Sequence, residues 1–517
     1  MMIGSAQCPP LLPLPPLMAA AIPSLERSNT LALVAVCLAT LMFGLEISSV
    51  PVILPTLEKV LHADFKGLQW IMNAYTIACT TVLMATGTLA DRYGRKRVFL
   101  ICVAAFGVTS LLCGLASNTA VLIVDRFLQG MAGGAMLICT IAVLSHQFRE
   151  GAERSRAFVA WGVISGVGLG FGPIIGGLIV AVSNWQWVFL IQAPIAALSL
   201  ALAAGSVQES RDPQAEHLDL WGIVTLSVAV FALTYFITQG SDLGFASAAA
   251  LGILALSVAG FAAFVVVEKR IAHPMFDFSV FRIRRFSGAI IGCIGMNFSY
   301  WPFMIYLPIY FQGVLGYDSS TAGLFLLAYT LPFLAMTPVA ERILQRYGAR
   351  VAVPLGLATI GTGFVAMALG SGLEQASGWT ILPGLLVAGI GIGLTNTPVT
   401  NTTTAAVSSD RAGMASGIDV SARLIALAIN IAVMGLILQE SIRAQLRGAP
   451  GASADAAALQ GQAERIAAGN LAASDALAHT ALAHGFGVVM LYGGIGVIVL
   501  AAISYAIFGR GAASARR

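Results

Sequence analysis

The sequence predicts an all-α, polytopic membrane protein with 14 transmembrane helices. Of its 517 residues, 58% are hydrophobic and only 10% are charged, and the mean hydropathy is +0.86. A soluble domain carries roughly 25% charged residues, so this chain has too little polar surface to face water on all sides. Two further observations support the prediction: the chain contains fourteen long apolar runs, and basic residues cluster in alternate segments between them.

Each apolar run predicts one membrane-spanning helix. A helix needs about 20 apolar residues to cross a bilayer, and lipid offers no hydrogen-bond partner to a backbone that is not helical. In chain order, the predicted spans lie at 30–55, 67–90, 97–116, 119–147, 156–181, 185–207, 218–239, 246–267, 286–312, 319–340, 349–370, 377–400, 412–438 and 486–508. The proline-rich segment 1–29 has no basic residue among its first 24 residues, unlike a signal peptide, and is predicted to be a disordered tail.

The basic residues predict the orientation. With the N-terminus placed in the cytoplasm, most of the 28 Lys and Arg residues fall in cytoplasmic segments, as the positive-inside rule requires. The extracytoplasmic segments hold only Lys59, Lys66, Arg443, Arg447 and Arg465. We therefore expect a multi-pass protein of a bacterial inner membrane, with both termini, including the tail 509–517, in the cytoplasm.

An internal repeat divides the runs into halves. An Arg-Tyr-Gly turn follows the second predicted span at Arg92 and the tenth at Arg346, and such repeats occur in transporters built from related halves. The offset of eight spans is explained by six helices, two inserted helices and six more. The predicted domains are a six-helix bundle at 30–207, the inserted pair with its loops at 208–285, and a second six-helix bundle at 286–508 that includes an extracytoplasmic loop at 439–484.

The first of these turns belongs to a longer motif at 87–97. Gly87 allows a neighbouring helix to approach, and Asp91 is a carboxylate at a helix end, able to pair with an arginine or with the positive N-terminus of another helix. Arg92, Gly94 and Arg95 complete the motif. The alternative is that its basic residues only anchor the topology.

Charged residues also occur inside the apolar runs. Arg126 lies in the fourth run, where an arginine is costly and implies a partner or a wet cavity. Glu46 lies in the first run, where it can exchange a proton when exposed or stay neutral and hydrogen-bonded in the bundle. Asp125 either pairs locally, caps its helix or titrates as a second acid.

Small residues repeat in the fifth run. Gly168, Gly172 and Gly176 recur every four residues and form one smooth helix face, which allows close helix contact. Pro173 removes a backbone donor and favours a bend, and Gly177 extends the small face. The alternative is ordinary small-residue packing.

Together these segments resemble the Major Facilitator Superfamily, specifically its 14-helix drug:proton antiporter family, over about residues 30–510. The resemblance implies the major facilitator fold with six, two and six helices. It implies that Glu46 and Arg126 take part in proton coupling and that the motif at 87–97 is a conformational latch between the halves. It also implies that the glycine repeat is the antiporter motif of exporters.

Two positions depart from the family pattern. Glu46 stands where an Asp is usual, which keeps the carboxylate. Asp419 stands where an Asn is common, four residues before Arg423, so the two side chains share a helix face and can pair. Asp419 is therefore either a second proton-coupling residue, a contact for a cation, or only a neutralising partner of Arg423.

The substrate is expected near the bilayer midplane, between the halves. Aromatic faces there can hold apolar groups or cations, although each ring can also serve only in packing. The predicted cavity residues are Ser49, Asn73, Gln129, Asn297, Tyr300, Trp301, Tyr306, Tyr329 and Asn396.

The predicted function is a secondary active transporter that exports small hydrophobic or cationic compounds in exchange for protons. The alternative is a selective proton-coupled exporter of one metabolite. The sequence has no phosphate-binding loop and no metal-ligand spacing, so we expect no enzyme activity, no metal and no cofactor beyond the proton gradient. The net charge of +4 does not suggest nucleic acid. We expect a monomer in lipid, and a periplasmic adaptor protein stays an open possibility.

Overall fold

The computed structural model describes residues 22–148, 151–211, 220–271, 278–373, 376–407, 412–448, 456–469 and 476–509. Within these residues the chain is helical and has no strand, and thirteen helices are long and apolar enough to cross a membrane. They coincide with thirteen of the predicted spans. The remaining span, 67–90, lies in the 29-residue helix Phe65–Tyr93, which at about 1.5 Å per residue is also long enough to cross. The all-α, multi-pass fold is therefore confirmed.

We number the described helices in chain order. They are α1 (Ile22–Leu61), α2 (Phe65–Tyr93), α3 (Arg95–Leu115), α4 (Thr119–Gln147), α5 (Gly151–Val182), α6 (Gln186–Leu190), α7 (Gln192–Ser206), α8 (Leu220–Leu243), α9 (Ala248–Arg270), α10 (Arg284–Phe298), α11 (Tyr300–Ile309), α12 (Ser319–Tyr347), α13 (Ala349–Ser371), α14 (Gly378–Ala405), α15 (Ala412–Arg447), α16 (Ala456–Ala467) and α17 (Ala476–Phe508).

Several helices begin or end away from the predicted bounds. Helix α1 starts at Ile22, inside the segment predicted as a tail, and residues 1–21 lie outside the described part of the chain. Helices α15 and α17 extend past the predicted limits of the loop 439–484. Between them, α16 buries one apolar face, formed by Leu459, Ala463 and Ile466.

Two predicted spans are broken helices. The span at 185–207 consists of α6 and α7, which meet at Ile191. The span at 286–312 breaks at Ser299 between α10 and α11, and it continues as a π-helical turn at Tyr310–Val314. Pro308 lies two residues before the π-helical turn and removes a backbone donor there. Breaks and π-helical turns inside a helix often mark functional positions, and this break lies at the level of the cavity described below.

The inserted helices α8 and α9 pack on each other. Ser257 donates a hydrogen bond to the Ala229 carbonyl over 2.9 Å, and helix α8 contacts both α2 and α15. On the α2 side, the ring of Trp70 lies 5.6 Å from that of Phe231 and 6.0 Å from that of Tyr235, measured between centroids. The insertion therefore covers a seam between the two six-helix bundles.

Candidate functional site

A buried ion pair joins α1 to α4. The guanidinium of Arg126 contacts the carboxylate of Glu46, and neither side chain is exposed to solvent. Arg126 Nε also donates to the Ile71 carbonyl of α2 over 3.1 Å. The face of Tyr75 lies 4.3 Å from the guanidinium carbon. Each charge thus has a partner, which a buried charge requires.

Amide and hydroxyl side chains extend this ion pair into a network. Gln129 accepts from Arg126 over 2.6 Å and donates to the Ser110 hydroxyl of α3 over 2.8 Å. Gln192, the first residue of α7, donates to the second oxygen of Glu46 over 3.3 Å. Five helices of the N-terminal bundle therefore meet at one carboxylate and one guanidinium. Any proton that binds Glu46 changes the contacts of this whole group.

The C-terminal bundle has its own ion pair. Arg423 Nε donates to the Asp419 carboxylate over 3.0 Å, within α15. Its two terminal nitrogens donate to Asn396 over 2.6 Å and to Thr400 over 2.9 Å, both on α14. The predicted pairing of Asp419 with Arg423 is thus present in the structure, and the pair also ties α15 to α14.

An apolar cavity of about 30 Å³ lies between the bundles. From the N-terminal bundle, its walls are Ile47, Pro51, Met72, Tyr75 and Thr76. From the C-terminal bundle, its walls are Trp301, Met304, Ile305, Leu424 and Leu427. Small-molecule sites in proteins are typically lined by apolar and aromatic side chains of this kind.

Of the predicted cavity residues, Trp301 lines this cavity. Tyr300 and Tyr329 instead stack with centroids 4.1 Å apart, and each hydroxyl donates to the other residue's carbonyl, so they tie α11 to α12. Gln129 belongs to the Arg126 network and Asn396 to the Arg423 cluster. Their roles in the substrate path stay predictions.

The other predicted residues lie deeper in the helix contacts. Ser49 and Asn297 donate to carbonyls of their own helices, over 2.6 and 2.9 Å. Tyr306 donates to the Ile431 carbonyl. Asn73 is fully buried, and neither of its side-chain polar atoms has a partner within the described residues.

The glycine repeat of α5 contacts both bundles. A Cβ at Gly168 would lie 3.0 Å from the Leu41 carbonyl oxygen of α1, and a Cβ at Gly176 would lie 2.9 Å from the Cβ of Ser49. A Cβ at Gly177 would lie 2.6 Å from the Ser319 carbonyl oxygen of α12. Thr330 of α12 donates to the Gly170 carbonyl over 2.6 Å. The absence of side chains therefore permits close contact of α5 with α1 at Gly168 and Gly176, and with α12 of the other half at Gly177. On the same helix, Gly172 packs against Ser48, and the Pro173 carbonyl lies against Gly323.

The turn motif docks against the segment that follows α7. Gly94 has a φ of 112°, which favours glycine, and Arg95 donates its backbone N–H to the Ser210 carbonyl over 2.9 Å. The guanidinium of Arg92 lies 5.5 Å from the ring of Tyr93. The surroundings of Gly87 and the side chain of Asp91 lie outside the described part of the structure, so the latch stays a prediction.

The bundles contact each other at the end predicted to be extracytoplasmic. Gln69 of α2 donates to the Tyr306 hydroxyl of α11 over 2.9 Å. Gln312, in the π-helical turn, donates to the Val52 carbonyl of α1 over 3.2 Å. The ammonium of Lys66 lies 3.0 Å from Glu464 of α16. These contacts close that end of the cavity.

Two helical bundles around a central apolar cavity, with ion pairs buried beside it, define a multi-pass membrane transport protein. The chain matches the Major Facilitator Superfamily over residues 36–430. It belongs to the Major Facilitator Superfamily.

Curated relatives narrow the assignment. The multidrug resistance protein Stp of Mycobacterium tuberculosis is 34% identical over 422 residues, which are 82% of this chain and 78% of that protein. The tetracenomycin C resistance and export protein of Streptomyces glaucescens is 30% identical over 414 residues, 79% of this chain and 76% of that protein. These names confirm the resemblance to the drug exporters of the superfamily.

Solved structures support the fold. A POT family transporter in complex with 5-aminolevulinic acid has a TM-score of 0.64 at 17% identity and covers 92% of this chain and 95% of that one. A bacterial homolog of the human lysosomal transporter Spinster, inward-facing and unoccupied, has a TM-score of 0.60 at 14% identity over 93% and 97% of the chains. At such identities the likeness concerns the fold alone.

Sequence reasoning missed Gln192 and Ser110 of the Glu46 network and nine of the residues that line the cavity. A signal existed for Gln192, since it is an amide in an otherwise apolar run. The cavity residues carried no such signal, because the sequence alone does not distinguish an apolar side chain that faces a cavity from one that faces lipid.

Proposed function

We propose that this protein exports small, largely hydrophobic compounds, including drugs, across the bacterial inner membrane in exchange for protons. The observation that carries the proposal is the cavity between the bundles, with a fully buried carboxylate and guanidinium directly behind its N-terminal wall. Relatives named for multidrug resistance and for antibiotic export support the direction and the substrate class.

Glu46 is the proposed proton carrier, with Arg126 as its partner. Because Glu46 has no contact with solvent in the described state, a proton can reach it only when the bundle rearranges. Protonation removes the charge that holds Arg126, Gln129 and Gln192 together, so proton loading and conformation are linked. Glu46 then binds a proton on the periplasmic side and releases it on the cytoplasmic side, and this difference drives the change between outward-facing and inward-facing states.

The state described is closed at the end that we assign to the periplasm. Export then requires that the contacts of Gln69, Gln312 and Lys66 break while the opposite end closes. Where α5 faces α12, Gly166, Gly170 and Gly177 carry no side chain, which allows the halves to move past each other with few interlocked side chains. We propose that a single chain carries out this cycle with no cofactor, and that both termini are cytoplasmic.

Efflux of Nile red, an uncharged fluorescent dye, from preloaded cells tests the proposal. Wild type should lose the dye faster than cells with empty vector, and a protonophore should abolish the difference. Glu46→Gln should abolish it as well. Asp419→Asn should retain efflux if Asp419 only neutralises Arg423, and should lose it if Asp419 carries a second proton.

Failure of well-expressed wild type to export any of a panel of hydrophobic dyes would contradict multidrug export and favour a single-metabolite exporter. Efflux at the full rate from Glu46→Gln would remove Glu46 from the coupling. Purified protein in liposomes, driven by an imposed pH difference alone, would show whether a periplasmic adaptor protein is needed.

A further inference from the structure

We propose that the central cavity selects uncharged, planar aromatic compounds over organic cations of the same shape. The inference rests on the proposed function and specifies its substrate class. It comes from the placement of charge around the cavity.

Among the described residues, the cavity wall contains no charged side chain. Its ten residues are aliphatic, thioether or aromatic side chains, one proline and one threonine, and the Thr76 hydroxyl already donates to the Met72 carbonyl over 3.0 Å. A cation that enters gives up its hydration and meets no opposite charge, which is strongly unfavourable. An uncharged aromatic compound loses little hydration and gains apolar burial.

The aromatic rings of the wall offset only part of this cost. One face of Tyr75 is already covered by the guanidinium of Arg126, 4.3 Å from the ring centroid. A second cation on the other face of Tyr75 would be repelled by the first through a single ring. Trp301 remains, with its ring edge-on to Tyr300 at a centroid distance of 5.2 Å, and it offers a flat surface to a planar ligand.

The nearby carboxylates face away from the cavity. Ile47 lines the cavity, whereas its neighbour Glu46 faces Arg126. Leu424 lines the cavity, whereas its neighbour Arg423 faces Asn396. Adjacent residues on a helix do not share a face, so each ion pair is turned into its own bundle. Each pair is also neutral overall, and no net negative charge remains to attract a cation.

Protonation of Glu46 makes the binding of a cation in the cavity still less favourable. When Glu46 takes up a proton, Arg126 keeps its charge, and the region behind Tyr75 becomes positive. An uncharged substrate cannot compete with the proton for the carboxylate by charge. Coupling must therefore pass through helices α1 and α2, which contribute residues both to the network and to the cavity wall.

A matched pair of ligands tests the selection. Phenanthridine and N-methylphenanthridinium have the same ring system and differ by a methyl group and a permanent charge. Binding to the purified full chain is measured by equilibrium dialysis in mildly alkaline buffer, with protein-free micelles subtracted. Phenanthridine should bind at least about tenfold more tightly, a difference of about 1.4 kcal/mol. Equal or tighter binding of the cation, or no binding of either compound, would overturn the proposal.

A carboxylate introduced into the wall should reverse the preference. Leu427→Glu places a negative charge at the cavity, and Leu427→Gln is its uncharged match in size. We expect Leu427→Glu to bind N-methylphenanthridinium at least about tenfold more tightly than Leu427→Gln does. Equal affinities of the two variants for the cation would show that the ligand does not occupy this cavity.

A transport measurement tests the selectivity of the cavity separately from the proposed proton antiport. Uptake of phenanthridine into liposomes that contain the protein is followed with and without an imposed pH difference. If phenanthridine is preferred in binding but no pH difference drives its movement, the proton antiport is wrong while the selectivity of the cavity stands. If transport is driven by protons but the cation is preferred, the antiport stands and the selectivity is wrong.

Discussion

In the part of the chain that the structure describes, each of the two bundles holds an internal ion pair, and the two pairs are built in different ways. Glu46 and Arg126 lie 80 residues apart on different helices, and both are fully buried. Asp419 and Arg423 lie four residues apart on one helix, and the Arg423 side chain is 17% exposed. The first pair therefore depends on tertiary structure and stabilises it in turn. The second pair is set by the periodicity of one helix, and two further hydrogen bonds of Arg423 connect it to α14.

The largest expected effect comes from removing one partner of the first pair. Arg126→Met leaves Glu46 buried without a counter-charge and should lower the free energy of unfolding by about 3–5 kcal/mol. Arg423→Met should cost less, about 1–3 kcal/mol, because Arg423 is 17% exposed and water can reach the groups that lose its hydrogen bonds. Urea or thermal unfolding of the purified proteins in detergent measures both. Equal losses would refute the distinction between the bundles, and the double variant Glu46→Gln/Arg126→Met should recover part of the first loss.

A smaller loss of stability is expected when a glycine on the packed face of α5 is replaced, and none when a glycine on its open face is replaced. A Cβ at Gly176 would lie 2.9 Å from both the Cβ and the carbonyl oxygen of Ser49, whereas a Cβ at Gly162 meets nothing within 4 Å. Gly176→Val should therefore cost about 1–3 kcal/mol of stability and most of the transport. Gly162→Val is the matched control and should retain both. Dye efflux and unfolding midpoints report the two effects, and comparable losses at both positions would contradict the packing.

The smallest loss of stability is expected for Asp318, a carboxylate outside the membrane. Its replacement shows how much an exposed carboxylate contributes, for comparison with the buried ones. Asp318 caps α12, and the hydrogen bonds that it accepts from Thr321 and Ser320 hold its pKa below the ordinary value. A depressed pKa in the folded state contributes stability above the unfolded-state pKa of about 3.9, and this is lost as pH falls through the folded value. Asp318→Ala should cost about 1 kcal/mol at neutral pH and less in acid. Asp318→Asn keeps the cap without titrating, so an unchanged acid dependence in this variant would assign that dependence to other groups.

Much of the fold could be predicted because lipid restricts the choices. Apolar length sets the spans, and the basic loops orient them. The Asp419–Arg423 pair could also be predicted, since it needs only the spacing of one helix. The glycines of α5 predicted a close helix contact, although not that α5 touches α1 and α12 at once.

The rest of the site depends on which helices become neighbours. Glu46 and Arg126 were each recognised as costly in lipid, but no local pattern predicts that they meet or that Gln192 joins them. Tyr300 and Tyr329 read as candidate ligand contacts, and only the packing of α11 on α12 satisfies both hydroxyls internally. The cavity wall could not be predicted, because its side chains are mostly apolar and so resemble side chains that face lipid.

Helix α8 rests on α2 of one bundle and on α15 of the other, so a rocking motion cannot carry it rigidly with both. Its aromatic contacts with Trp70 interlock, whereas the α15 residues in the same apolar cluster are the small or aliphatic Ala415, Ile418 and Ala428. The insertion is therefore expected to move with the N-terminal bundle while α15 slides beside it. Since lipid surrounds the insertion, bilayer viscosity should set part of the friction on each transport cycle, and the turnover rate should depend on the host membrane even for one fixed substrate.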